Sequence, residues 1–296
     1  TGYFYIPGTE TCLKIGGEVR ATLNFNDDDT VLDQDNWESE VRARLTFEAK
    51  NDSEVGTIGS YIRLQASQGA EGSRASVGVD QAYITVGGFK VGRVVTWADD
   101  WGLAGESDDF FGNVRFNTAT YTYATDAFSV GLGVDDLAVV DGYSNSVGIQ
   151  GFASAAFGPA SIVVNGVYDV EESEGGIGAV LSADLGPGTL GIAGAWASGQ
   201  SAYGFNSEWN IGAAYTFKAT EKLSITPQVT YYSGINDAGL FGDDRGAFTS
   251  DDAWAADLLV EYQIATGLKA SADLMYVDED NSDDSFSGFV RLTRSF

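Results

Sequence analysis

The sequence predicts an all-β fold: a transmembrane, antiparallel, up-and-down β-barrel of 16 strands, with short turns at one end and long loops at the other. Three observations carry that prediction. Apolar and polar side chains alternate with a period of two along much of the 296 residues. The connections switch between tight turns and long, acidic, glycine-rich loops. The apolar faces of the alternating stretches carry aromatic residues near their ends, and the opposite faces carry charge.

Taken in chain order, "CLKIGGEVRATLNF" puts Leu13, Ile15, Val19, Ala21, Leu23 and Phe25 on one face. "NWESEVRARLTFEAK" sets Trp37, Val41, Ala43, Leu45, Phe47 and Ala49 against Glu38, Glu40, Arg42, Arg44, Thr46, Glu48 and Lys50. That strand runs roughly a dozen residues, well beyond the ~5–6 of an average strand. The same alternation recurs in "EWNIGAAYTFK" (Trp209 to Phe217), "AWAADLLVEYQI" (Trp254 to Ile264) and "LKASADLMYV" (Leu268 to Tyr276). The last stretch, "FSGFVRLTRSF", separates Phe286, Gly288, Val290 and Leu292 from Ser287, Phe289, Arg291 and Thr293. "NDSEVG", "VGGF", "TDAF", "FGPA", "LGPG", "KATEK" and "IATG" form the tight turns. "NDDDTVLDQD", "SQGAEGSR", "VDDLAVVDGYSN", "VEESEGG", "INDAGLFGDDRGAFTSDD" and "VDEDNSDD" form the longer loops. One strand plus one connection then takes roughly 18 residues, and residues 1–296 make a single domain.

A soluble β-sandwich also alternates, but its outer face is polar and its strands are shorter. An apolar exterior, aromatic girdles and a polar interior are the arrangement of a barrel in an outer membrane. Hydrocarbon forbids an unpaired strand edge, so the strand near 13–25 is expected to pair with the one near 286–296. Phe296 then lies in the girdle at the turn end.

Composition removes several functions. The chain has 43 acidic and 16 basic residues, no histidine, and a net charge of -27. That balance argues against nucleic acid and favours cationic partners or a cation-attracting lumen. Without histidine there is no Ser-His-Asp or Cys-His catalysis and no imidazole metal site, and a single cysteine builds no thiolate site. No glycine-rich phosphate loop is present. An enzyme and a cofactor are therefore not expected. No apolar run is long enough for a transmembrane helix. "TGYFYIPG" is taken as a mature terminus, with no signal peptide visible. Cys12 is either an unpaired thiol or one whose partner precedes Thr1. The acid clusters at 27–29, 243–244, 251–252 and 278–284 raise a Ca²⁺ site, although none has EF-hand spacing. Divalent bridges to lipopolysaccharide phosphates and plain solvation of loop tips are the other uses of those acids.

"GYFYIPGTETCLKIGGEVR" (2–20) resembles the N-terminal signature of the alphaproteobacterial porins, the family of the Brucella and rhizobial major porins. "VDQAYITVGGFKVGR" (79–93) is similar to the strand pair leading into that family's constriction loop, and the terminal Phe296 resembles the address read by the outer-membrane assembly machinery. The resemblance implies a homotrimer of sixteen-stranded barrels among outer-membrane lipids and lipopolysaccharide. Turns would be periplasmic, loops extracellular, and small hydrophilic solutes would pass by diffusion. Two departures stand out. The chain is shorter than those porins, which implies trimmed loops and a wider or differently lined pore. The second cysteine that usually precedes the signature is absent, which puts a disulfide at Cys12 in doubt.

The resemblance makes "VVTWADDWGLAGESDDFFGNVRF" (94–116) the third loop, folded inward to narrow the lumen, with Asp99, Asp100, Glu106, Asp108 and Asp109 as its carboxylates. The alternative is an exposed acidic loop. Trp97, Trp101, Phe110 and Phe111 argue for packing against something. Arg20, Arg42, Arg44 and Arg63 share the polar face of the early strands. They either pair locally with Glu18, Glu38, Glu40 and Glu48, or form the positive wall of a transverse field, or both. With the net charge, cation selectivity is expected. A sugar-selective channel would instead show a lumen ladder of aromatics, for which Trp97 and Trp101 are the candidates.

Overall fold

The computed structural model of the chain describes residues 2–27, 37–68, 76–99, 101–143, 146–242 and 245–296. The alternating stretches are strands: β1 Phe4–Tyr5, β2 Cys12–Asn26, β3 Trp37–Asn51, β4 Ile58–Gln68, β5 Gly78–Val86, β6 Phe89–Val95, β7 Arg115–Ala124, β8 Phe128–Asp136, β9 Val147–Phe157, β10 Ala160–Asp169, β11 Glu174–Leu185, β12 Gly188–Ala197, β13 Ser207–Lys218, β14 Leu223–Ile235, β15 Asp252–Ala265, β16 Leu268–Glu279 and β17 Ser285–Ser295. Strands β2 to β17 pair antiparallel with their neighbours in sequence, and β17 returns to β2, so sixteen strands close a barrel. The two-residue β1 adds to the start of β2, where Tyr5 opposes Cys12.

Closure is what the surroundings demand. Opening the β17–β2 seam would leave two rows of amide and carbonyl groups unpaired in hydrocarbon, at several kcal/mol per group. The seam therefore runs from Ser287 opposite Asn26 to Ser295 opposite Glu18. Phe296 continues it: its amide donates to Gly17 O (3.0 Å) and its carbonyl accepts from Gly17 N (3.1 Å). The chain ends in register rather than frayed.

The outward parity carries Val19, Val41, Leu258, Leu274 and Val290, all exposed, as a lipid-facing surface requires. At the loop end this band terminates in cross-strand aromatic pairs: Phe25 with Trp37, Trp196 with Trp209, Tyr231 with Trp254 and Tyr276 with Phe286. The last two pairs have ring centroids 4.8 and 5.0 Å apart. At the turn end Phe89 meets Tyr121 at 4.7 Å, in the same girdle as Phe157, Phe217, Tyr262 and Phe296. Among the described residues no helix is long and apolar enough to cross a membrane.

Two connections differ from expectation. "VEESEGG" is shorter as a loop than expected, because β11 starts at Glu174 and leaves a turn at 170–173 in which Ser173 takes φ 61°. The stretch 198–206, not expected as a loop, connects β12 to β13 and is largely buried inside the loop end.

Candidate functional site

The buried residues lie inside the barrel, between its inner wall and the loop 96–114 that joins β6 to β7. The sequence of that loop makes it fold inward. Its aromatics cannot face water at low cost, and the wall across the barrel is built to accept them. Phe110 is 1% exposed and Trp101 is 9% exposed. They pack with Phe111 and Phe205 at ring-centroid distances of 4.9 to 6.0 Å. The wall behind is thinned: a Cβ on Gly178 would sit 2.5 Å from Trp101 Nε1, and one on Gly176 would sit 2.5 Å from Phe205. Ala193, Ala195 and Ala197 complete that smooth patch. Phe111 also forms a one-residue bridge to Phe205, and Asn206 N donates to Phe110 O (3.0 Å).

Polar anchors fix the rest of the loop. Trp97 N donates to Gln150 Oε1 (3.1 Å), and Asn165 Nδ2 donates to Trp97 O (2.8 Å). Gly105 N donates to Gln228 Oε1 (2.8 Å). Glu106 N and Ser107 N both donate to the Asp257 carboxylate, at 3.2 and 3.1 Å. Tyr232 OH donates to Ser107 O (2.7 Å). A Cβ on Gly105 would stand 2.6 Å from Asp257 Oδ2 and 2.7 Å from Gln228 Oε1, so the loop tip can approach this wall only as glycine.

This traverse separates two sectors. From β10 to β15 the inward residues, such as Asn165, Asn210, Gln228 and Thr230, are buried under loop. On β17 and β2 to β5 the inward charged residues keep access to solvent. There Glu18 Oε1 lies 2.5 Å from Arg42, 3.8 Å from Arg20 and 4.0 Å from Arg44. Arg44 Nε donates to Gln65 Oε1 (2.6 Å). Arg63 pairs with Asp80, which also takes Arg115 Nε at 2.8 Å. The two sectors meet at the loop tip, where Glu106 Oε1 stands 3.8 Å from Arg291 Nη1. Desolvation raises the Glu106 carboxyl above its ordinary range, against the pull of Arg291.

The four expected arginines thus share one wall, as their parity required. Of the four expected local partners, Glu18 pairs with three of them, whereas Glu48 pairs with Lys14 and Lys50 and bonds Tyr3. The expected loop carboxylates divide. Glu106 is only partly accessible at the loop tip beside Arg291, Asp109 is exposed at the loop surface, and Asp99 is half-buried. Asp108 is turned into the loop: it accepts from Leu103 N and from Gln228 Nε2 (2.9 Å), so it is a strut and not a lumen charge. Asp100 lies outside the described residues. Trp101 is buried in the packed cluster and Trp97 is tilted on Phe152 at 4.7 Å, so they do not form an aromatic ladder. Arg291, Asp257 and Gln228 were not foreseen. The available signal was a lone acid at inward parity within the apolar "AWAADLLV", and an arginine at inward parity on the seam strand. Among the described residues no three acidic side chains gather as a metal site. The clusters 27–29 and 243–244 fall wholly or partly outside those residues.

Comparison with known proteins follows the same lines. The family described as "Porin subfamily" matches residues 1–291. The "Putative outer membrane protein y4fJ" of Sinorhizobium fredii is 38% identical over 100% of this chain and 86% of its own length. "Porin Omp2a" of Brucella suis is 30% identical over 100% of this chain and 88% of its own length. The trimer form of OmpT, an outer membrane protein of Vibrio cholerae, superposes with a TM-score of 0.68 at 14% identity, covering 97% of this chain and 100% of that one. At that identity the likeness speaks to the fold alone.

Proposed function

Because this chain belongs to the porin subfamily and is an outer-membrane β-barrel channel rather than an enzyme, we propose how it conducts. Small hydrophilic solutes and ions diffuse passively through an eyelet bounded by the loop tip at Glu106 and by the arginines of β17, β2, β3 and β4. The observation that carries this reading is the tip itself: Glu106 reaches Arg291 on β17 while Asp257 on β15 holds its backbone. An opening framed by opposite charges orients water and slows apolar solutes. The net charge of -27 enriches cations at the mouths, and cation preference follows.

We further propose that three barrels assemble, by analogy with the trimer form of OmpT, and that the exposed aliphatic band meets lipid while acidic loops meet lipopolysaccharide through divalent ions. Single-channel recording under a KCl gradient tests the conduction. Ohmic steps arriving in threes, with a reversal potential of cation-selective sign, are expected. A chloride-selective potential would overturn the cation preference, and steps arriving singly would overturn the trimer.

A further inference from the structure

The two ends of the barrel differ in charge as sharply as its two walls. All six lysines of the chain, Lys14, Lys50, Lys90, Lys218, Lys222 and Lys269, lie at the turn end. With Arg294 they meet eight acidic residues there, so that end is close to neutral, and nearly the whole net charge of -27 lies in the loops and along the lumen. At the loop end Glu171, Glu172, Asp278, Asp280, Asp283 and Asp284 are exposed. Parity sends most of the lysines into the mouth. Lys90 stands between the lipid-facing Phe89 and Val91 and so points inward, and Lys218 follows the outward Phe217. Lys14 opposes Glu48 on the inner face, and Lys269 pairs there with Glu261. Lys14 and Lys50 share one carboxylate, that of Glu48, at 3.6 and 4.0 Å, and keep 43% and 52% of their side-chain surface in water. Aromatic rings hold these ammonium groups without neutralising them. Those of Lys14 and Lys50 lie 5.9 and 5.3 Å from the centre of the Tyr3 ring. That of Lys90 lies 4.9 Å from the Tyr83 ring, which stacks on Tyr61.

We infer that Lys14, Lys50, Lys90, Lys218 and Lys269 ring the turn-end mouth as an anion-collecting vestibule, and that against the acidic loop end they make conduction depend on direction. The inference rests on the channel reading above and extends it. A mouth lined by one sign of charge raises the local concentration of the opposite ion. Cations are enriched where the loops meet solvent, and chloride and other small anions are enriched at the turns. A voltage positive on the loop side draws each ion inward from the mouth that stores it, and the lumen fills with carriers. The opposite voltage draws each ion inward from the mouth that repels it, and the lumen is depleted. Current is therefore larger with the loop side positive. Lysine suits this task, because its compact, strongly hydrated ammonium acts as a point charge on a flexible stem.

The test is the current–voltage curve of single channels of the whole protein in planar bilayers, with KCl equal on both sides. At about 1 M KCl screening reaches only about 3 Å, and the steps should be ohmic. At about 0.01 M it reaches about 30 Å, and currents at about 100 mV of opposite sign should differ roughly twofold. A polymer-linked amine reagent, too bulky to pass, then marks the turn side, because every lysine lies there. The larger current should belong to the voltage that makes the other side positive. In the triple variant Lys14→Gln/Lys50→Gln/Lys90→Gln the excess of the current ratio over unity should fall by about half or more. Should that variant fail to insert, Lys218→Glu/Lys222→Glu, both exposed beside one turn, carries the same expectation. Equal wild-type currents, a larger current of the opposite polarity, or a ratio that the inserted variant leaves unmoved overturns the vestibule and leaves the channel reading standing. Absence of any step at about 1 M KCl overturns both.

Discussion

The two inner sectors of this barrel solve opposite problems with the same strand geometry. From β10 to β15 the inward positions include glycine, alanine and neutral polar side chains, with Tyr232 and Asp257 among them, and they bury a loop. From β17 through β2 to β4 they include a group of arginines and a few acids, and these charged side chains stay wet. The packed sector is close-fitted, so its substitutions should act on stability. The wet sector contributes little to packing, so its substitutions should act on what passes. A barrel can be narrowed without a plug if one wall is smooth enough to hold a loop and the other charged enough to stay open.

The comparison breaks first if the packed sector tolerates a cavity. Phe110→Ala removes a side chain that is 1% exposed and touches Trp101, Phe111 and Phe205. A loss of about 3–5 kcal/mol is expected for such a truncation. Thermal unfolding of the β-structure in detergent measures it, and an unchanged midpoint would show that the loop is not held by its aromatics. Next in size is Asp257→Ala, which removes the acceptor of Glu106 N and Ser107 N. Hydrogen bonds to a charged group contribute about 1.5–3 kcal/mol each, so the tip should loosen and unit conductance should rise with added current noise. Conductance equal to wild type would mean that the loop tip does not bound the opening.

Neighbouring acids on the loop separate the sectors more finely. Asp108→Asn replaces an acceptor that serves both Leu103 N and Gln228 Nε2 with a group that must turn a donor toward one of them. The expected cost is about 1–3 kcal/mol of stability with ion preference unchanged. Glu106→Gln should do the reverse, lowering the K⁺ over Cl⁻ permeability ratio without lowering the unfolding midpoint. Equal effects on both readouts in both variants would erase the distinction.

Much of this was legible because parity is a strong code. Arg20, Arg42 and Arg44 had to share a face, and an alternating strand ending at Phe296 had to close on the strand that starts near Cys12. The inward fold of 94–116 was legible from Trp97, Trp101, Phe110 and Phe111, which need cover. The partners were not legible. Gln228 and Asp257 lie more than 100 residues from the loop tip they hold, and only closure of the barrel brings them there. Nor does sequence separate Asp108 from Asp109: adjacent acids look alike until a backbone turn sends one into the loop and leaves the other at its surface. The buried loop 198–206 escaped notice because Ser, Ala and Gly carry no periodic signal.

The smallest expected effect is also the most specific. Glu106 faces Arg291 and Arg20, with Asp257, Asp108 and, on β16, Asp273 around it, and desolvation raises its carboxyl above the ordinary range. Lowering the pH therefore neutralises Glu106 before the solvated loop acids. Cation preference should begin to fall at a higher pH than exposed carboxylates allow, and the fall should be lost in Glu106→Gln. The sign for stability is opposite. A carboxyl whose folded value is raised binds its proton more tightly in the folded state, so acidification through that range favours the fold. Reversal potentials measured from neutral to mildly acidic pH, beside unfolding midpoints at each pH, distinguish the two. A selectivity curve that Glu106→Gln leaves unmoved would place the governing charge at the mouths and reduce the wet sector to an unselective wall.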